Sequence, residues 1–246
     1  MAKERIDKLL VERGFADSRT KAQAMVMAGV VLVHGKRVEK PSESFEPEQE
    51  IKIKGESPES RYASRAGLKL EKALEEFHIR VDGYVCLDIG SSTGGFTDCL
   101  LSQGAGKVYA VDSGTNQMIW RLRNDERVVL MENTNARSLT REQIPEDVDL
   151  ITIDVSFISA KLVLEPALPF LNKGGKVVLL VKPQFEVGKG EVGKGGIVRD
   201  EELHEKVIAD LTDFADKQGM KRTGLVVSPI EGAAGNREFL MLLERN

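Results

Sequence analysis

The sequence of 246 residues is poor in the features that would tie a chain to redox chemistry, metal ions or a membrane. Its two cysteines, Cys86 and Cys99, sit inside apolar stretches without C-x-x-C spacing, which reads as core filling and not as a disulfide or a metal site. His34, His78 and His204 are scattered and make no ligand pattern. No apolar run approaches the ~18 residues of a membrane span. The opening MAKERIDKLLVERGF is charged from its third residue and has no apolar signal core. A soluble, cytoplasmic protein is expected. An excess of positive charge is also missing: the formal net charge is -4, so any hold on nucleic acid needs a local basic face. What is present is ordinary globular composition, 41% hydrophobic and 30% charged, which argues against disorder. The length suits one large domain, or a mid-sized domain with a small partner.

The chain divides by pattern into a first domain over 1–59, a linker over 60–64 and a second domain over 65–246. In the first, Ile6, Leu9, Leu10 and Phe15 recur at helical spacing, and Gly14 with Asp17-Ser18 stops one helix and caps the next. A second helix is expected over 18–28, ending at Gly29, followed by β-like runs over 30–33 and 51–53. Between residues 1 and 40, nine basic residues face five acidic ones. The next twenty residues reverse the balance, with six glutamates against Lys52 and Lys54. Such polarisation is often only a solvated face. The segment RIDKLLVERGFADSRTKAQAMVMAGVVLVHGKRVEKPS is more specific, and closely resembles the S-four RNA-binding domain. That resemblance implies a small α+β fold with a basic face laid on structured RNA. It puts Arg5, Lys8, Arg19, Lys21, Lys36 and Arg37 at RNA-facing positions, recognising shape and phosphate.

The second part opens with an amphipathic helix in YASRAGLKLEKALEEF, with Leu68, Leu70 and Leu74 partly inward. Strands are then expected at 85–89, 107–111, 128–131, 150–153, 177–181, 224–227 and 239–243, with helical stretches between most of them. Seven strands alternating with helices predict an α/β fold, a doubly wound, mostly parallel Rossmann-like sheet whose ligands bind beyond the strands' C-terminal ends. The glycine loop Gly90-Ser91-Ser92-Thr93-Gly94-Gly95, running into Phe96, follows the first of these strands and opens a helix. Dinucleotide binding needs G-x-G-x-x-G, and here the third position is Ser92. Asp112 ends the second strand, where an acid can accept from both ribose hydroxyls. Asp88 offers a carboxylate for cationic groups. Taken alone the loop could be mere close packing. Together the three features favour S-adenosylmethionine over a nicotinamide dinucleotide. Asn135 and Ala136, in the turn after the third strand, are candidates to flank the adenine, although Asn-Thr-Asn also suits an ordinary turn.

The fourth strand ends in DLITIDVSFIS and the fifth in VVLLVKPQFEVGKG, so Asp154 and Lys182 should face each other at one sheet edge. A lysine closing an apolar strand is costly unless it is used or reaches solvent. Asp-Val-Ser-Phe is not the Asn/Asp-Pro-Pro-aromatic motif of many amino-group methyltransferases. With Lys69 on the preceding helix and Glu238 at the last strand, the set resembles the Lys-Asp-Lys-Glu tetrad of FtsJ-like ribose 2′-O-methyltransferases. A ribose hydroxyl must lose its proton as it attacks, and a lysine with an ordinary pKa of ~10.4 accepts it only where its surroundings favour the neutral amine. Lys182 is assigned as general base, Asp154 and Lys69 as positioning groups, and Glu238 as the residue that orients the lysines or the ribose.

SRAGLKL, DIGSSTGGFTDCLL, DVSFIS, KPQFEVGKGEVGKGGIVRD and GNREF extend the likeness over the whole chain, which resembles the haemolysin-A-like TlyA family. The resemblance implies 2′-O-methylation of cytidine in ribosomal RNA, with rRNA or ribosomal subunits as partners. The short termini favour large-subunit RNA. Lys189, Lys194 and Arg199 surround a glycine-rich loop that could close on phosphate or remain a solvent loop. Ser64 and Arg65, between the domains, could couple RNA docking to Lys69. Against this stand a membrane-lytic protein, which would need membrane-active segments, a non-catalytic assembly factor, which would not need Asp154 and Lys182, and a nicotinamide oxidoreductase, whose fingerprint fails.

Overall fold

The structure, a computed structural model, describes residues 3–13, 15–16, 18–53, 61–188 and 190–245. Two compact units divide the chain at Arg61 and Tyr62. The first is built from β1 (Glu4–Arg5), α1 (Ile6–Glu12), α2 (Arg19–Met27), β2 (Val31–Val33), β3 (Lys36–Arg37), β4 (Ser44–Phe45) and β5 (Ile51–Ile53). The Ser18 hydroxyl accepts from the Lys21 amide at 3.3 Å and caps α2, and Gly29, at φ +71°, turns the chain out of it. Gly14 and Asp17, expected to shape the preceding turn, lie outside the described residues. β2 pairs antiparallel with β3 and β5, while β1 pairs with β4. Ile6, Leu9, Leu10, Ala22, Val26, Val31 and Val33 close a small core between helices and sheet. β1, β3 and β4 are two residues each, too short to show a periodicity in sequence.

The second unit holds α3 (Ala66–Glu76), β6 (Val85–Ile89), α4 (Gly95–Ser102), β7 (Lys107–Val111), α5 (Trp120–Arg123), β8 (Val128–Met131), β9 (Val148–Ile153), α6 (Lys161–Ala167), β10 (Leu171–Val181), α7 (Pro183–Glu186), α8 (Glu201–Lys217), β11 (Met220–Val227) and β12 (Phe239–Arg245). Its seven strands lie in the order β11-β12-β10-β9-β6-β7-β8. All run parallel except β12, antiparallel to both neighbours. The sheet is therefore doubly wound and mostly parallel, as the alternation of elements predicts. Helices cover both faces: Val163, Leu164, Val207 and Leu211 pack on one, and Leu70, Leu74, Leu100 and Leu122 on the other. Leu70 and Leu74 of α3 are buried and Leu68 is half-buried. Cys86 and Cys99 are free and buried in the second of these layers.

Chain direction along the sheet reverses between β6 and β9. Crossovers leave opposite faces at such a point and open a crevice above the strand ends. The register aligns the crevice: Ile89 pairs with Val111 and Ile153, and Val111 with Met131. Gly90, Asp112, Glu132 and Asp154 therefore follow in one row at the C-terminal edge. Val181 pairs with Phe239 across the antiparallel β10–β12 ladder, which sets Lys182 beside Glu238 at the same edge. No helix among the described residues is long and apolar enough to cross a membrane.

Candidate active site

A cavity of about 360 Å³ opens above the β6–β9 switch. Among its walls are Gly90, Ser92, Asp112, Asn135, Ala136 and Asp154, joined by Gln117, Ser156 and Phe157. The glycine loop is shaped for close approach. Gly90 has φ +86°, and a Cβ on it would lie 2.2 Å from the Asp154 carbonyl oxygen, so no side chain fits. Asp112 braces the loop, accepting from the Ser92 amide and the Gly114 amide, each at 2.7 Å. A carboxylate has roughly four lone-pair sites, so acceptor capacity remains for a pair of vicinal hydroxyls. The Ser92 hydroxyl donates to Gln117 Oε1 at 3.0 Å. Asn135 spends its Oδ1 on the Arg137 amide, capping a 3-10 turn over Ala136–Ser138 that sets the buried Ala136 against the cavity. Ser91 Oγ is buried without a hydrogen-bond partner among the described residues. A loop that admits no Cβ at Gly90 and an acid with spare lone pairs fit a nucleoside-bearing ligand.

Four of the predicted ligand residues do not line this cavity. Asp88 is fully buried beneath the loop, where it accepts from the hydroxyls of Thr97 at 2.7 Å and Thr152 at 2.9 Å. Burial pushes its carboxyl up to about 6 against the opposing pull of those hydroxyls, and the nearby Asp154 charge adds to the rise. Phe96 is core, packed in the layer with Leu70 and Leu100. Gly94 and Gly95 serve packing: at φ +99° Gly94 enters α4, with a Cβ there meeting Leu122 Cδ1 at 2.4 Å. On Gly95 a Cβ would meet Ser64 Oγ at 2.4 Å. These residues shape the loop from behind.

The polar tetrad forms two ion pairs. Lys182 Nζ lies 2.6 Å from Asp154 Oδ1, and the side chains are 12% and 16% exposed. Asp154 Oδ1 has no aligned hydrogen-bond donor, so this is a charge contact, whereas Lys182 donates properly to Ser156 Oγ at 2.8 Å. Ser156 was not singled out in the sequence; its only signal there is its place two residues after Asp154. Lys69 Nζ donates to Glu238 Oε2 at 2.5 Å, and this pair is buried. Gly232 makes room for it, since a Cβ there would meet Glu238 Oε1 at 1.8 Å. Ser64, Arg65 and Lys69 line a second cavity of about 320 Å³ with Ile230, Glu231 and Gly232. Tyr62 and Ala63, expected in the linker, are fastened to the second unit: Tyr62 Oη donates to Glu71 at 2.8 Å, and the Ala63 amide to Asp98 at 2.7 Å.

The rim of the larger cavity is held by Glu186, whose carboxylate accepts from Ser159 Oγ at 2.6 Å and the Ala160 amide at 2.7 Å. Burial raises its carboxyl above the ordinary range. That clamp ties the loop after β9 to the turn after β10. Phe157 stands 88% exposed at φ +67°, its ring 5.1 Å from that of Phe185. Asn236, also unread in the sequence, pins the end of the glycine-rich loop. It accepts from the Val198 amide at 3.0 Å and donates to the Gly196 carbonyl at 2.9 Å. Lys194 and Arg199 are exposed on that loop, and Lys189 lies outside the described residues.

In the first unit, Lys21, Lys36 and Arg37 are exposed, and Lys8 runs between Glu4 at 2.7 Å and Glu12 at 3.2 Å. Arg5 and Arg19 both bind one carboxylate, that of Asp7.

Comparison with known proteins gives two family matches: FtsJ-like methyltransferase over residues 62–245 and S4 domain over residues 4–51. The chain is 44% identical to the 16S/23S rRNA (cytidine-2′-O)-methyltransferase TlyA of Mycobacterium tuberculosis, over 97% of this chain and 89% of that one. To the 23S rRNA (cytidine-2′-O)-methyltransferase TlyA of Campylobacter jejuni it is 36% identical, over 93% and 95%. Among solved structures, one from Streptococcus thermophilus superposes with a TM-score of 0.75 at 47% identity, covering 100% of this chain and 90% of that one.

Proposed function

Because the chain belongs to the FtsJ-like methyltransferase family, we propose that it methylates a cytidine ribose 2′-hydroxyl in ribosomal RNA, using S-adenosylmethionine. The observation that carries this reading is the Lys182–Asp154 pair, 2.6 Å apart at the wall of a cavity whose loop suits a nucleoside. Large-subunit RNA is the acceptor of choice, because the names of both TlyA relatives include 23S rRNA.

Bound in the larger cavity against Gly90, Ser92, Asp112, Asn135 and Ala136, S-adenosylmethionine would supply an electrophilic methyl group on a positively charged sulfur. The work of the protein is then to aim a hydroxyl and take its proton. The ribose hydroxyl would pass its proton to Lys182 Nζ as its oxygen takes up the methyl group. Lys182 Nζ is held in place for this by its hydrogen bond to Ser156 and its charge contact with Asp154. Ser156 thus acts as a positioning residue for the base. Glu238 fixes Lys69, which positions the ribose. Phe157, exposed at the rim, gives the cytosine a stacking surface. The basic residues of the first unit, with Ser64, Arg65 and the Lys194 loop, hold the RNA backbone.

The test supplies methyl-labelled S-adenosylmethionine and separately purified, unmodified small and large subunits to the wild type and to Lys182→Ala. Label on large-subunit ribose from the wild type alone is the expected result. Transfer by both proteins would remove Lys182 as the base, and no transfer by a wild type that binds the cofactor would remove the acceptor.

A further inference from the structure

Asp7 is the one buried charged side chain among the described residues of the first unit, and the chemistry above makes no use of it. It stands in the first turn of α1 with no solvent exposure, beneath two arginines whose side chains are 46% and 58% exposed. Arg5 grips it as a fork, Nε to Oδ1 at 3.1 Å and Nη2 to Oδ2 at 2.9 Å. From α2, Arg19 Nη2 reaches the same Oδ2 at 3.0 Å and Gln23 Nε2 reaches it at 2.9 Å. The Arg5 fork is the main reason the Asp7 carboxyl is held well below the usual carboxylate range in spite of burial. The carboxylate stays charged at any working pH.

This arrangement is more than a clasp between helices. α1 and α2 already share Ile6, Leu9, Leu10, Ala22 and Val26, so the packing does not require a buried charge. Its geometric effect falls on the arginines. Both Nη2 atoms lie within 3.0 Å of one oxygen, so the two guanidiniums are held within about 6 Å of each other, close enough for one phosphate to accept from both. Two like charges would otherwise splay apart in solvent. Each guanidinium has five N–H donors, of which Arg5 spends two and Arg19 one on Asp7, leaving the others for a ligand on side chains that are about half exposed. The trio carries one net positive charge, matching one phosphodiester.

We propose that Asp7 organises Arg5 and Arg19 into a preformed site for a single backbone phosphate of structured RNA, acting as a positioning residue that never touches the ligand. This rests on the RNA-binding reading above. It makes a prediction opposite in sign to simple charge attraction. Asp7→Asn removes a negative charge from a basic face, which by charge alone should tighten RNA binding. A site that depends on the carboxylate should instead lose affinity, by roughly five- to tenfold, with the slope of log affinity against log salt falling by about one.

The experiment measures binding of the full chain to a fluorescent ribosomal RNA fragment across a salt series. It compares wild type, Asp7→Asn, Arg5→Lys and Arg19→Lys, with thermal melts to establish that each is folded. The lysine variants keep the charge and lose the fork, so they should weaken binding in the same way. A folded Asp7→Asn that binds as tightly as wild type or tighter overturns the site. If Asp7→Asn unfolds, the lysine variants decide, and wild-type affinity in both overturns it equally. A wild type that shows no salt-dependent RNA binding would remove the RNA-binding reading itself, a result distinct from either.

Discussion

Asp7 in the first unit and Asp154 in the second both pair with cations, and they do so with different partners. Asp7 is fully buried and holds two arginines, whereas Asp154 is 16% exposed and holds one lysine that also donates to Ser156. An arginine cannot give up its proton in a protein, so a carboxylate beside it can only aim a permanent charge. A lysine is a compact charge on a flexible stem, and here the 2.6 Å contact with Asp154 and the hydrogen bond to Ser156 fix where its nitrogen lies. Asp88 extends the contrast. Like Asp7 it has no solvent exposure, yet its partners are neutral, and its carboxyl rises to about 6 where that of Asp7 falls. Burial raises an aspartate unless charged donors outweigh it, as the Arg5 fork does at Asp7.

The strongest way to break the comparison is Lys182→Arg. The variant keeps the positive charge and the partner at Asp154 but cannot act as a base, so methyl transfer should fall on the order of 10²- to 10⁴-fold. RNA affinity should stay at the wild-type value. Single-turnover assays with binding measured in parallel check this, and near-normal transfer would mean that Lys182 is electrostatic only. Ser156→Ala should have a smaller effect. Losing one aimed hydrogen bond should lower kcat roughly tenfold with KM for RNA unchanged, and Ser156→Thr should recover most of the loss. A fall in affinity with unchanged kcat would assign Ser156 to binding.

The smallest effect is expected at Asp88. Its folded carboxyl titrates near 6, against about 4 in the unfolded chain. Between those values the folded state keeps a proton that the unfolded state has released, so stability falls as pH rises through the window and levels off above about 6. The change is of order 1–3 kcal/mol. Asp88→Asn cannot titrate, and urea midpoints measured from pH 4 to pH 7 should lose this component of their slope. An unchanged profile would place the titration elsewhere.

Much of the second unit was legible because parallel strands end in a row. An apolar run that stops on Gly90, Asp112, Asp154 or Lys182 locates each residue at the edge, and the register then brings them together. What such a run does not reveal is depth. Asp88 and Gly90 are two residues apart, but the strand ends between them and the turn at Gly90 leaves one beneath the loop and the other on the cavity wall. Gly95 and Phe96 were expected against the ligand for the same reason, and they pack against Ser64 and the helical layer. Ser156 and Glu186 act through the path of the loop after β9, where Phe157 takes a positive φ that no propensity signals. Asp7 looked like one acid scattered in a basic segment, because nothing local tells which carboxylate Arg19 will choose.

The inversion of β12 has a consequence for timing. β11 has a single neighbour in the sheet, β12, which is also the strand that sets Glu238 beside Lys182. Within the sheet, β11 can pair only once the hairpin partner that follows it in sequence is in place. Asp154 and Lys182 precede β12 in the chain, whereas the acid that pairs with Lys69 arrives at its start. The strand that secures the sheet edge is thus also the one that completes the polar tetrad.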